Sequence, residues 1–254
     1  MSQAVAADFH VRLAETPEDI HAAQRLRYEV FVAELGGDGA LVDHEARLER
    51  DALDPFFDHL LLEDRATGEV VGVYRLMRPE QFAQAGRYYS SAEYDLDPLI
   101  RSGRRILELG RSCLHGAYRG GTGMHHLWSA LAGYVAEHRI DVLFGVASFP
   151  GTDVAALAQP LSLLHHRHLA PPALRVRALD TAFQRMDLVA ESALDRKAAM
   201  VGTPSLIKAY LRLGGCVGEG AFVDRRFNTT DVCLIMDTAN LSARQARIYG
   251  SVRP

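Results

Sequence analysis

The chain has 254 residues, 48% hydrophobic and 24% charged, the balance of a packed globular protein rather than a disordered or fibrous one. Its net charge of −4 argues against a nucleic-acid binder, and no run approaches the roughly 18 consecutive apolar residues that span a bilayer. Three scattered cysteines without a CxxC pair, and a start lacking the basic and apolar segments of an export signal, lead to the expectation of a cytoplasmic protein.

In chain order, residues 9–14 alternate apolar and polar side chains, as a half-buried strand does. Thr16-Pro17-Glu18-Asp19 then offers a capping threonine, a proline at the first helical position and acids in the first turn. Ile20, Ala23, Leu26, Val30 and Phe31 recur at helical spacing behind it, and glycines at 36, 37 and 39 end the helix. Residues 43–58 are acidic and irregular. Two β-like runs, 59–63 and 69–77, joined by Ala66-Thr67-Gly68, predict a hairpin. Prolines and glycines between 78 and 103 leave room for a loop with one short helix.

The best-defined block follows: a strand over 106–114, a glycine loop at 118–123, a helix over 122–138 and an apolar strand over 141–147. Residues 151–172 read as a helix stopped by Pro171-Pro172. Residues 204–213 read as another, and 221–223 with 231–236 as a late strand pair. No internal repeat or composition break appears. The expected fold class is α/β, a central mixed twisted sheet flanked by helices, in a single domain over 1–254 with a core in 8–150 and a second half, 151–254, completing the sheet.

The 118–123 loop carries glycines at 120, 121 and 123 between a strand and a helix, where backbone N–H groups favour an anion. A G-x-G-x-x-G fingerprint fails because His126 stands at the third glycine, and no G-x-x-x-x-G-K-[ST] is present. His165, His166 and His168 have no second ligand cluster, so no metal is expected, and no G-x-S-x-G elbow supports a hydrolase.

The loop resembles the acyl-CoA pyrophosphate loop of the GNAT N-acyltransferases, [QR]-x-x-G-x-[GA]: Gly121 and Gly123 match, and Tyr118 stands where Gln or Arg is usual. Further segments resemble the acyl-homoserine-lactone synthases, which are GNAT-like: Arg27-Tyr28-Glu29-Val30-Phe31, Asp51-Ala52-Leu53-Asp54, Val73-Tyr74-Arg75-Leu76 and Glu108-Leu109-Gly110-Arg111. The tryptophan those synthases carry after helix 1 has no counterpart at 34–37. The stretches 107–114, 118–121, 127–128 and 143–151, with 204–215 and 224–237, are more similar to the ornithine-lipid N-acyltransferases, and the likeness covers roughly residues 10–237.

That resemblance implies transfer of a 3-hydroxy fatty acyl group from acyl-carrier protein to the α-amine of L-ornithine. It implies no permanently bound cofactor, since the acyl donor rides on phosphopantetheine, with CoA as the lesser alternative. Glu108 is the expected base and Arg111 its catalytic companion, because an ammonium must lose a proton before attack. Arg27, Phe31, Asp51, Asp54 and Arg75 are the expected substrate-binding set; arginine forks suit carboxylates. Arg119, Gly121, Thr122 and Gly123 are expected to hold the phosphopantetheine phosphate, and Arg101, Arg104 and Arg105 are candidates to dock the acidic carrier. Peripheral contact with the inner membrane face follows from the family likeness alone. Two other readings stay open: a different N-acyl amino acid or signal synthase, and a non-catalytic module that binds acyl thioesters.

Overall fold

The computed structural model describes residues 8–240 and divides them into two compact units. The first comprises residues 8–76 and 110–138, the second residues 77–109 and 139–240. The outermost stretches of the expected 1–254 domain, 1–7 and 241–254, lie outside the described residues.

The first unit opens with β1 (Phe9–Leu13) and α1 (Pro17–Arg27). Thr16 caps α1 reciprocally: its hydroxyl accepts from the Asp19 amide at 3.2 Å while the Asp19 carboxylate accepts from the Thr16 amide at 3.2 Å. Arg12 clamps the same carboxylate at 2.6 and 2.8 Å, which fixes the strand-to-helix corner. The expected helix does not stay α-helical through Phe31. From Tyr28 to Glu34 it widens into π-helical turns, a geometry common beside functional sites.

The acidic stretch contains a small ladder of β2 (Val42–Asp43) with β3 (Leu48–Glu49), then a 3₁₀ turn, Asp54–Phe56. The hairpin follows as β4 (Asp58–Asp64) and β5 (Glu69–Met77). In the second unit come α2 (Pro79–Ala85), β6 (Tyr94–Asp95) and α3 (Asp97–Ile100). Strand β7 (Ile106–Leu114) gives its first half to the second unit and its second half to the first. Helix α4 (Gly123–Glu137) returns the chain to the first unit, where the strand order is β1-β4-β5-β7. Gly72 and Gly123 let this layer close: a Cβ at Gly72 would stand 2.6 Å from Leu114 Cδ2, and one at Gly123 would stand 3.2 Å from Leu62 Cδ2.

The second unit continues with β8 (Val142–Pro150), α5 (Ala158–His168), β9 (Arg177–Ala178), β10 (Phe183–Gln184), α6 (Arg196–Gly202), α7 (Ser205–Arg212), β11 (Cys216–Val217), β12 (Ala221–Asp224) and β13 (Thr229–Asp237). Its strand order is β7-β8-β13-β12-β10, with β11 on β13. β7 and β8 run parallel and the other pairs antiparallel, so the architecture is the mixed sheet with flanking helices. Tyr94 pins this layer, its hydroxyl donating to the Gly220 and Asp231 carbonyls at 3.0 Å each. Helix α5 starts only at Ala158, later than the residue pattern predicts, and α6, capped by Asp195, falls in a stretch where the sequence shows no clear period.

Candidate active site

The first unit concentrates buried charge at one place. Arg27, at the end of α1, and Arg75, on β5, are both 0% exposed, which a lone guanidinium does not tolerate. Three acids compensate them. Arg27 Nε donates to Glu49 Oε2 at 2.5 Å and its Nη1 to Asp54 Oδ1 at 2.7 Å. Arg75 Nη1 donates to the same Asp54 oxygen at 2.7 Å and lies 3.3 Å from Asp51 Oδ2. Arg111 on β7 completes the set, with Nε donating to Glu49 Oε1 at 3.2 Å and Nη2 3.5 Å from Asp51 Oδ2.

Three arginines thus face three carboxylates, a locally neutral cluster. Burial alone would raise Asp54 and Asp51, but the neighbouring arginines outweigh it and hold both below the usual carboxylate range. Burial and the positive charges of Arg111 and Arg27 pull Arg75 down. The Phe57 ring supports Arg75 from 4.2 Å, Gln24 donates to Asp54 at 3.0 Å, and His59 Nε2 donates to the Asp54 carbonyl at 3.0 Å.

Arg111 takes φ +50° inside a strand, a left-handed conformation that favours glycine. That kink in β7 accompanies the reach of its side chain to Glu49 and Asp51. Glu108, three residues earlier, is 1% exposed: Oε2 accepts from the Tyr89 amide at 2.8 Å and Oε1 from the Ser90 amide at 2.7 Å. The ladder of β7 with β8 pairs residues 106–108 with 142–144.

The glycine loop is tied down more firmly than its sequence indicates. The Tyr118 hydroxyl donates to Asp64 at 2.8 Å, so the residue standing where Gln or Arg is usual braces the β4–β5 hairpin. Arg119 is not a free cation for a phosphate here: it forms a bidentate ion pair with Glu34 and donates from Nε to the Leu114 carbonyl at 3.0 Å. Gly120 supplies the left-handed turn at φ +79°, Gly121 and Thr122 are exposed, and Gly123 is buried in packing. Thr122, at the cap position of the 15-residue α4, makes no side-chain bond to the helix amides, and such a helix start favours an anion.

Among the expected site residues the fold therefore joins Arg27, Arg75, Arg111, Asp51 and Asp54. Phe31 is half-buried against Ala23, Leu26, Val30, Leu61, Val73 and Cys113, where it packs with the core. The sequence reading missed Glu49, Gln24 and His59. Glu49 stands among many acids between 43 and 58, and its burial against Arg27 and Arg111 is what singles it out. In the second unit Glu93, Asp224 and Asp231 bring carboxylate oxygens within 4.8 Å of one another, and burial raises Asp231 to about 6.

A mixed sheet flanked by helices, with a glycine loop leading from β7 into α4, is the architecture of an acyltransferase of the GNAT class. The Acetyltransferase (GNAT) domain model matches residues 26–129, from the last residues of α1 to the first turns of α4. Among solved structures, the AHL synthase LasI superposes with a TM-score of 0.53 at 17% identity, covering 98% of this chain and 100% of that one. FeeM, an N-acyl amino acid synthase from uncultured soil microbes, gives 0.55 at 11% identity, covering 94% and 98%. At these identities the likeness is one of fold.

Sequence relatives carry the assignment further. A protein of Rhodobacter capsulatus named L-ornithine N(alpha)-acyltransferase is 61% identical over 95% of this chain and 94% of its own. One of the same name from Brucella abortus is 42% identical over 95% of this chain and 88% of its own. The chain belongs to the L-ornithine N(alpha)-acyltransferase family.

Proposed function

We propose that the protein transfers a 3-hydroxy fatty acyl group from acyl-carrier protein to the α-amine of L-ornithine, giving lyso-ornithine lipid. The observation that carries this reading is the 61% identity to a relative of that name over 95% of the chain. In the reaction the α-ammonium gives up a proton and the nitrogen attacks the thioester carbonyl. The C–N bond forms, the C–S bond breaks, and the thiolate takes a proton as it leaves. Glu108 is the proposed base, acting directly or through one water.

Arg27, Arg75 and Arg111 with Asp51 and Asp54 are the proposed acceptor set, since ornithine brings one carboxylate and two ammonium groups that opposite charges can hold. Gly121, Thr122 and the start of α4 are the proposed phosphate contact, and the pairing of Arg119 with Glu34 favours one phosphate over the three of CoA. Among the described residues no helix is long and apolar enough to cross a membrane. The amphiphilic product supports peripheral contact at the inner membrane face from a cytoplasmic enzyme.

The test is an assay of purified protein with 3-hydroxyacyl carrier protein against a panel of free amino acids, with products read by mass spectrometry and the CoA thioester run in parallel. Ornithine is expected to outrun the other acceptors and carrier protein the CoA donor. Equal use of neutral amino acids would overturn the head-group assignment. Full transfer by Glu108→Gln would overturn the base.

A further inference from the structure

Asp54 is the hinge of the buried cluster, because its carboxylate takes Arg27 and Arg75 together. Beyond those ion pairs, the carboxylate accepts from the Asp51 amide at 3.1 Å and from Gln24 at 3.0 Å. The 51–54 turn is closed locally: the Asp54 amide donates to the Asp51 carbonyl at 3.0 Å and the Leu53 amide to Asp51 Oδ1 at 2.7 Å. Arg75 ties the turn's side chains to β5, and a separate bond ties its backbone to β4. The Asp54 carbonyl receives the Phe57 amide at a long 3.3 Å and the His59 Nε2–H at 3.0 Å.

His59 lies on β4 with its Cα directly across from Arg75 on β5. It is 1% exposed, and its Nδ1 has no hydrogen-bond partner among the described residues. A buried nitrogen without a partner carries a cost, which makes the bond from the other ring nitrogen the more telling one.

We propose that His59 is a positioning residue for the acceptor site: its Nε2–H, donated to the Asp54 carbonyl, locks the 51–54 turn to the β4–β5 hairpin and so sets the Asp54 carboxylate between Arg27 and Arg75. This rests on the reading of that cluster as the acceptor site. A donor without charge is what the place requires. The cluster balances three arginines against three acids, and a fourth cation would tip it. Burial, with Arg27 and Arg75 nearby, draws the imidazole down to about 4, so it stays neutral where the enzyme works. Donation from Nε2 also selects one tautomer, with Nδ1 unprotonated.

The test compares His59→Gln, which can place an N–H near the Nε2 position, with His59→Asn, which places it near Nδ1, and His59→Leu, which has no donor. Steady-state constants for ornithine and for the acyl donor are measured on each, alongside circular dichroism. His59→Leu and His59→Asn are expected to raise the ornithine KM about tenfold with the donor KM unchanged, and His59→Gln to stay within about threefold of the parent. An unchanged ornithine KM in His59→Leu, or equal losses in the Gln and Asn variants, would overturn the proposal. So would kcat falling only in proportion to folded protein. Nitrogen-15 spectra of the parent's histidines read the same bond without any assay: a protonated Nε2 with bare Nδ1 is expected, and the reverse tautomer rejects it. A parent with that tautomer but no ornithine acylation would sink the functional reading and leave the hydrogen bond standing.

Discussion

At position 111 an arginine occupies a backbone region that normally belongs to glycine, and two effects there can be separated by substitution. Arg111→Ala removes the bonds to Glu49 and Asp51 and keeps a Cβ at φ +50°, whereas Arg111→Gly removes the same bonds and relaxes the backbone. Both variants are expected to lose acyl transfer equally, with Arg111→Gly more stable than Arg111→Ala by about 1 kcal/mol in denaturant unfolding. Equal stability would mean the strand carries no strain there. Asp231 makes a residue-scale prediction about pH. Burial raises its carboxyl from 3.8 to about 6 in the folded chain, so below 3.8 folded and unfolded forms are both protonated. As pH climbs from about 4 to 6 the unfolded chain ionises first, and stability drops by up to roughly 3 kcal/mol. Asp231→Asn should flatten that fall and be the more stable protein at pH 7, read from denaturant unfolding between pH 4 and 7. Asp51 and Asp54 work in the opposite sense, since their depressed carboxyls give stability that vanishes as pH falls below 3.8.

Two glycines of the elements carry opposite expectations. Gly145 on β8 follows directly on the ladder with residues 106–108, and a Cβ there would collide with the Leu109 carbonyl oxygen. Gly145→Ala must push β8 off the strand that carries Glu108, and about 1–3 kcal/mol of stability and much of kcat should go together. Gly133, exposed within α4, has open space around it, so Gly133→Ala should gain roughly 0.5–1 kcal/mol with activity unchanged. Thermal melts and the acyl-transfer assay check both. The elements most legible in the sequence are those with long, regular patterns: the Thr16 cap, the hairpin of β4 and β5, strand β7 and helix α4. Elements of two residues, such as β2, β3, β9 and β10, have no period to read, and α6 is a helix of seven residues, too short to show one. Of the cluster's six charged residues, five were legible. Arg27, Arg75, Arg111, Asp51 and Asp54 stand in segments resembling known ones, but Glu49 and His59 gain meaning only from pairings across 22 and 5 residues that chain order does not reveal.

Charge across the whole molecule bears on how it meets a donor. The chain is acidic, at −4, and an acyl-carrier protein is acidic as well, so the two repel at long range unless a basic face intervenes. Arg101, Arg104 and Arg105 look like such a face in the sequence, but each one meets an acid: Asp97 at 2.7 Å, Asp237 at 2.6 Å and Glu80 at 2.8 Å. Matched pairs have little far field, and at about 0.15 M salt the screening length of roughly 8 Å removes much of what is left. With acyl-carrier protein as donor, kcat/KM should therefore change less than about threefold between roughly 50 and 300 mM NaCl, and Arg101→Glu should cost less than about threefold. A steep fall with salt, together with a large loss in Arg101→Glu, would mean that these pairs open and the arginines turn to the carrier. A flat profile would place recognition in the acyl chain and the phosphopantetheine phosphate at the start of α4. Substituting Thr122 with Asp, which sets a negative charge at that helix start, should then weaken the donor far more than any change at Arg101.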